Sequence, residues 1–340
     1  MAEAFSTHDE HASNRLAVVI PCFRVSREID GVLRAIGAEV WRIYCIDDGC
    51  PEQSGRVVEA RAAEDPRVRL LVHEKNRGVG AAVVTGYRQA LDDGAEIIVK
   101  LDGDGQMDPA RIRELIAPIC DGEADYVKGN RFYHLESLRA MPVPRLIGNA
   151  GLSFLSKLST GYWNLFDPTN GFTAIHAAVA RRLPLGKLHP RYFFESDILF
   201  RLNTLRAVVT EVPMEALYAG EKSSLSLTKA FIQFPIYHTR NYFKRIFYNY
   251  FLRGFSVASI NLLLGFALLL FGVIFGAMQW IEGALRQTPA SPGTVMLAAL
   301  PVILGTQLML SFLSFDMSNV PREPLHTKIR LHERRHQPEA

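Results

Sequence analysis

The chain has 340 residues, 48% of them hydrophobic, and a formal net charge of +3. That is enough for one large domain or two smaller ones with a real core, and a charge so near balance argues against a nucleic-acid binder. The four cysteines, Cys22, Cys45, Cys50 and Cys120, form no C-x-x-C pair, which argues against zinc and leaves them as reduced core residues.

The polar start, MAEAFSTHDEHASNR, has no apolar segment and predicts a disordered tail over residues 1–15 rather than a signal peptide. LAVVI, residues 16–20, is a β-branched run ending at Pro21, and a helix is predicted from about Glu28 to Ile36. RIYCIDDG forms a second strand ending at Asp47 and Asp48, and a helix from about Gly55 to Ala63 follows. VRLLVHE is a third strand, GVGAAVVTGYRQALDDG a third helix, and EIIVKLDGDG a fourth strand. Strands alternating with helices of about ten residues predict right-handed crossovers and a mostly parallel sheet. Ligands of such sheets bind beyond the carboxyl ends of the strands, which puts Asp47-Asp48 and Asp102-Asp104 in one crevice.

The last third differs. Residues 255–280 and 294–315 contain no charged side chain, and each exceeds the ~20 residues needed to span a bilayer. The loop between them is read as carrying only Glu282 and Arg286. The outer flanks are basic, with Arg240, Lys244, Arg245 and Arg253 before the first span and Arg322, Lys328, Arg330, Arg334 and Arg335 after the second. Basic flanks place both ends, and with them the α/β domain, in the cytosol. Residues 229–254 mix aromatics with lysine and arginine, as helices lying in the headgroup region do, and residues 316–340 read as a basic cytosolic tail, disordered over HTKIRLHERRHQPEA, residues 326–340.

VKLDGDGQMDP, residues 99–109, ends a strand in two aspartates with an amide close behind. An EF-hand is excluded, because Met107 and Arg113 stand where its glycine and glutamate belong. Asp102, Asp104 and Gln106 offer hard oxygen ligands suited to Mg²⁺ or Mn²⁺, cations that bridge phosphate oxygens. NRGVGAAVVTG is not a dinucleotide fingerprint, since Val83 replaces the third glycine, although Asn76 and Arg77 point toward the crevice. His134, His176 and His189 have no partners at metal or triad spacing and read as structural.

Seven segments occur in order: VVIPCFR, CIDDGC, NRGVGAAVVTGY, VKLDGDGQMDP, KGNRF, DPTNGFTAI and EVPMEAL. Together they resemble family 2 glycosyltransferases of the dolichol-phosphate mannose synthase and polyprenyl-phosphate glycosyltransferase branch. The resemblance covers roughly Leu16 to Leu227. It implies a Rossmann-like GT-A nucleotide-sugar-binding domain over 16–228, followed by interfacial helices and two transmembrane helices. It further implies that Pro21, Asp48 and Arg77 line the nucleotide-sugar pocket. Asp102, Asp104 and Gln106 would hold the divalent cation, and Arg131 and Arg145 would meet an acceptor phosphate. Asn149 stands where the family often has serine, and Lys222 is the candidate for a charge lost at Ala219. The first strand ends Pro21-Cys22-Phe23-Arg24-Val25 where the family commonly has Pro-x-Tyr-Asn-Glu, which leaves the donor base open.

The implied protein is a metal-dependent, inverting hexosyltransferase of the cytoplasmic (inner) membrane, compatible with a homo-oligomer. It would move a sugar from a nucleoside diphosphate to a polyprenyl phosphate at the cytosolic leaflet. The catalytic set is Asp104, Arg131 and Asp197. Asp197 lies where hydroxyl-using relatives carry a base, so transfer to a glycan or glycolipid hydroxyl is the rival, with Glu195 a weaker base candidate. A processive synthase is disfavoured because Q-x-x-R-W is absent. A non-catalytic nucleotide-sugar-binding scaffold is disfavoured by the intact Asp102, Asp104 and Gln106.

Overall fold

The computed structural model describes residues 15–131, 143–167, 170–214 and 227–336. The chain divides into two units. The first comprises the chain up to Asn241 together with the segment from Pro321 onward; the second is Tyr242–Val320.

The first unit is built on a seven-stranded sheet of order β3-β2-β1-β4-β6-β5-β7. Its strands are β1 (Leu16–Cys22), β2 (Arg42–Asp47), β3 (Val68–Val72), β4 (Ile97–Lys100), β5 (Tyr126–Asn130), β6 (Thr173–His176) and β7 (Val209–Pro213). The first four are mutually parallel, as the alternation with helices α1 (Ile29–Ala35), α2 (Ser54–Glu64) and α3 (Val79–Asp92) dictates. β1 is apolar on both faces, with Leu16 to Ile20 all buried, which suits a strand covered by helices on either side. Helix α3 turns Ala82, Val83, Gly86, Tyr87 and Ala90 inward, one buried stripe at helical spacing. One strand departs from a parallel arrangement. β6 runs antiparallel to both β4 and β5, and so carries the loop before it, residues 170–172, to the carboxyl ends of those two strands. Helices α4 (Ile112–Cys120), α5 (Val143–Thr160) and α6 (Phe194–Leu205) complete the layers.

The segment before the first long apolar helix forms a single helix, α7 (Leu227–Phe247), and a π-helical turn, Tyr248–Arg253. It has two characters. His238 and Asn241 are buried, with His238 Nδ1 2.7 Å from Ser159 Oγ and Asn241 donating to Asp197. Ile236, Phe243, Phe247, Tyr248 and Leu252 are exposed.

In the second unit, α8 (Val257–Arg286) and α9 (Pro292–Ser318) are both long and apolar enough to cross a membrane. Glu282 and Arg286 do not lie in the connecting loop as expected. α8 runs on through both, and they form an i,i+4 ion pair on its last turn. The two helices meet through small residues. A Cβ on Gly265 would press on Leu308 and the Gly305 carbonyl, and one on Gly305 would press on the Gly265 carbonyl, so the backbones touch as they do in packed membrane helices. Arg245, Asp316 and Tyr250 form a buried group at one end of the pair, with Arg245 Nη1 and Tyr250 Oη each 2.6 Å from Asp316 Oδ1.

The expectation of disorder over 326–340 is wrong for most of its length. Leu325–His336 is helix α10, and its first turn docks on the first unit. Asp125, fully buried, accepts the backbone N–H groups of Leu325, His326 and Val208, and His326 Nδ1 lies 2.8 Å from the same carboxylate. The His326 ring stacks on His176 with centroids 4.4 Å apart. Burial works against ionisation of Asp125, but the His326 ring and three N–H donors outweigh it and hold the carboxyl below its usual range. Residues 1–14, His134, Ala219 and Lys222 lie outside the described residues, as do the side chains of Arg145 and Asn149 on α5.

Candidate active site

The carboxyl ends of β1, β2 and β4 open on one crevice, and β5 ends two strands beyond β4. Not every acidic residue there is available to a ligand. Asp47 accepts the backbone N–H groups of Cys50 at 2.7 Å and Gly55 at 2.9 Å, which ties it to the start of α2. Asp48 is 2% exposed, and its oxygens receive the N–H groups of Arg77 and Gly78, at 2.9 and 2.7 Å, and contact His73 Nδ1 at 2.7 Å. Its carboxylate is occupied by its own chain and shapes the turn into α3, where Gly78 needs a φ of +99°. Pro21 stands half-buried at the end of β1, and the Arg77 side chain is exposed beside the turn.

The loop after β4 is different. Asp102 and Asp104 are both half-buried, and Asp104 Oδ1 accepts a 3.1 Å bond from Gln106 N–H. Burial, with the negative charge of Asp102, pushes the Asp104 carboxyl up, while the Gln106 N–H works the other way. Asp102 Oδ1 receives the ammonium of Lys100 at 2.8 Å. Lys100 is 1% exposed, and its Nζ also lies 3.4 Å from Glu195 Oε1, at the start of α6. Gly171 closes this corner, because a Cβ there would collide with both Lys100 Nζ and Asp102 Oδ2. Two half-buried carboxylates one residue apart, with an amide behind, fit a hard divalent cation whose remaining ligands come from phosphate and water. Among the described residues no group of three or more His, Cys, Asp and Glu side chains is gathered in metal-binding geometry.

Beneath it, Lys128 of β5 is fully buried and donates to the Asn170 carbonyl at 2.6 Å. Burial lowers its pKa to about 8, against the attraction of Glu195 and Asp167. Asn170 also donates to the Gly129 carbonyl at 2.7 Å and accepts from Phe172 N–H. Asn170 thus ties the loop before β6 to the end of β5.

Arg131, just past β5, is held by Asp167. Its Nε and Nη2 donate to the two carboxylate oxygens at 2.8 and 3.0 Å, and the Asp167 side chain is fully buried while that of Arg131 stays 32% exposed. The guanidinium is therefore oriented by a paired buried charge with part of its surface facing out. Glu211 supports this arrangement by accepting the N–H groups of Phe166 and Asp167, and burial pushes its carboxyl up.

Asp197 is not brought together with Asp102 and Asp104. It is 4% exposed, Oδ2 accepts from His189 N–H at 3.0 Å and Arg201 Nε at 3.1 Å, and Oδ1 accepts from Asn241. Glu195, two residues earlier, is the α6 carboxylate that reaches the aspartate pair, through Lys100. The sequence reading gave no role to Lys100, Lys128, Asp167 or Asn170. The only signal for them was a buried-strand lysine, at the end of β4 and in the middle of β5, and the acid and amide of DPTNGF.

A family model described as glycosyl transferase family 2 matches residues 17–183. The UDP-N-acetylglucosamine–dolichyl-phosphate N-acetylglucosaminyltransferase of Methanococcus voltae is 28% identical over 240 residues, covering 67% of this chain and 95% of that protein. The undecaprenyl-phosphate mannosyltransferase of Micrococcus luteus is 30% identical over 173 residues, covering 51% of this chain and 70% of that protein. Among solved structures, glucosyl-3-phosphoglycerate synthase from Mycobacterium tuberculosis superposes with a TM-score of 0.50 at 20% identity, over 69% of this chain and 80% of that one. That likeness shows the GT-A fold. On the family match, the relatives and the fold together, this chain belongs to glycosyl transferase family 2 and is similar to its polyprenyl-phosphate branch.

Proposed function

We propose that the chain is a membrane-anchored inverting glycosyltransferase that moves a sugar from a nucleoside diphosphate sugar to a polyprenyl phosphate at the cytosolic leaflet of the cytoplasmic membrane. One observation carries the reading: two half-buried carboxylates at the end of β4, and an arginine oriented by a buried carboxylate at the end of β5. With only β6 between them, the strand ends are roughly 10 Å apart, a span that suits a sugar between a donor diphosphate and an acceptor phosphate. Asp102 and Asp104, with Gln106, would hold Mg²⁺ or Mn²⁺, which supplies Lewis-acid stabilisation of the departing diphosphate.

Pro21, Asp48 and Arg77 are the residues proposed for the nucleotide side. Arg131 places the acceptor phosphate, and Arg145, Asn149 and Lys222 are assigned to the same anion. A phosphate monoester is already anionic at neutral pH, because its second pKa is about 6. No general base is then needed, only orientation. The enclosure of Asp197 by His189, Arg201 and Asn241 disfavours it as the base of a hydroxyl-acceptor reaction. The acceptors that the relatives' names give, a dolichyl phosphate and an undecaprenyl phosphate, support the same choice. Helices α8 and α9, at 30 and 27 residues, exceed the ~20 that a bilayer needs and would keep the enzyme with a substrate that cannot leave it.

The test is transfer from labelled UDP- and GDP-sugars to undecaprenyl phosphate by detergent-purified protein, with and without EDTA. EDTA-sensitive formation of an acid-labile glycolipid is expected. Donor binding with no product on any lipid phosphate would overturn the acceptor assignment and direct the search to hydroxyl acceptors.

A further inference from the structure

Half of the carboxylate pair assigned to the cation already holds a cation. Lys100 Nζ lies 2.8 Å from Asp102 Oδ1, and the lysine is almost wholly buried at the end of β4. A buried ammonium needs a paired charge, and this one has two carboxylates within reach, since Glu195 Oε1 stands 3.4 Å away on a separate helix. The Asp102 side chain is 29% exposed and that of Glu195 15%, so the open side of the triad is the Asp102 side. Gly171 leaves no slack there, because any side chain at that position would strike both Lys100 and Asp102. The ammonium and an incoming divalent cation therefore compete for the same carboxylate, and Glu195 is the partner the ammonium retains.

We propose that Lys100 is a built-in counter-ion that yields Asp102 to the divalent cation and falls back on Glu195, so that the Lys100–Glu195 pair sets the affinity of the site for metal. Both are positioning residues. In the free enzyme Lys100 holds Asp102 in one orientation and prevents two neighbouring carboxylates from facing each other unscreened. The inference rests on the cation reading of Asp102 and Asp104 and goes beyond it by naming what governs occupancy.

The experiment is calorimetric titration of the full-length protein in detergent with Mn²⁺ alone, with no donor or acceptor present. Wild type, Lys100→Met, Glu195→Gln and the double variant are compared, with folding checked by near-UV circular dichroism. Removing a unit charge within about 5 Å of the cation, at an effective dielectric of about 20, corresponds to tenfold or more in affinity. Lys100→Met should therefore bind Mn²⁺ at least tenfold more tightly than wild type. Glu195→Gln should bind it several-fold more weakly, because the ammonium has lost its retreat. The double variant should match Lys100→Met within about threefold, since Glu195 acts through Lys100. A Glu195→Gln penalty that persists in full without Lys100 would mean that Glu195 acts through its own field, and the inference fails. If Lys100→Met does not fold, Glu195→Gln decides alone: unchanged or tighter binding overturns the proposal. No Mn²⁺ binding by wild type would overturn the cation assignment itself, and this inference with it. Binding with additive effects would overturn only the inference.

Discussion

Asp167→Asn tests how Arg131 is held. In the wild-type protein both carboxylate oxygens face the guanidinium, one accepting Nε at 2.8 Å and the other Nη2 at 3.0 Å. Asparagine keeps one acceptor and sets an NH₂ against the other guanidinium nitrogen, which turns an attraction into a repulsion. Breaking a fully buried pair costs ~3–5 kcal/mol. Here the arginine is about a third exposed, at 32%, and solvent screening reduces the expected loss to roughly 1–3 kcal/mol. The unfolding midpoint should fall by roughly 5 °C. The functional effect should be larger and one-sided. A displaced acceptor-binding group costs on the order of 10²-fold in rate. That loss should appear in kcat/KM for the polyprenyl phosphate, with KM for the sugar nucleotide nearly unchanged. Steady-state kinetics with each substrate varied in turn separates the two. Equal loss for donor and acceptor, or an acceptor KM that Arg131→Ala leaves untouched, would refute the assignment of Arg131 to the acceptor phosphate.

Asp197→Asn should lower stability by roughly 1–3 kcal/mol through the loss of its Arg201 pair, yet keep transfer activity within about tenfold. A folded variant with less than a thousandth of wild-type activity would restore Asp197 as a base. His238 is buried and its pKa is lowered to about 4, so the neutral form is the stable one in the folded protein. The unfolded chain binds the extra proton between about pH 6.5 and pH 4. The stability contribution is therefore complete above pH 6.5 and is lost on acidification through that window, by up to ~3 kcal/mol. Denaturant unfolding at pH 7 and pH 4.5 should show a steeper loss for wild type than for His238→Phe. Asp125→Asn removes the charge that gathers three N–H donors and His326, and it should release α10, seen as new proteolytic cleavage beyond Pro321 and faster hydrogen exchange in Leu325–His336. Unchanged protection there would show that Ile329 and the His176 stack suffice to hold the helix.

The first half of the sheet was legible because its strands are apolar runs bounded by turn residues and separated by helices of ordinary length. The direction of β6 was not, because four residues, TAIH, carry no sign of whether they run with or against their neighbours. α10 was hidden by composition. LHTKIRLHERRH looks like a solvated basic tail, and among its described side chains His326 and Ile329, three residues apart, mark the side that becomes buried. What folds it down is Asp125, some two hundred residues earlier, and no local pattern pairs the two. Arg131 and Asp167 are likewise joined only by the sheet order that brings β5 beside the loop before β6.

The same limit explains the uneven reading of the four acidic residues in the crevice. Each closes a buried strand, and in sequence Asp47-Asp48 and Asp102-Asp104 look equivalent. Their partners separate them. Asp47 and Asp48 accept backbone N–H groups at 2.7–2.9 Å from the turns that follow, and those bonds are part of the helix entries themselves. Asp102 is satisfied by a lysine side chain, and Asp104 by backbone N–H groups of its own loop. An ammonium on a flexible stem can be exchanged for another cation at little structural cost, whereas a helix entry cannot. The carboxylates proposed for the cation are thus those whose partners are replaceable, and that property arises only when the strands are assembled.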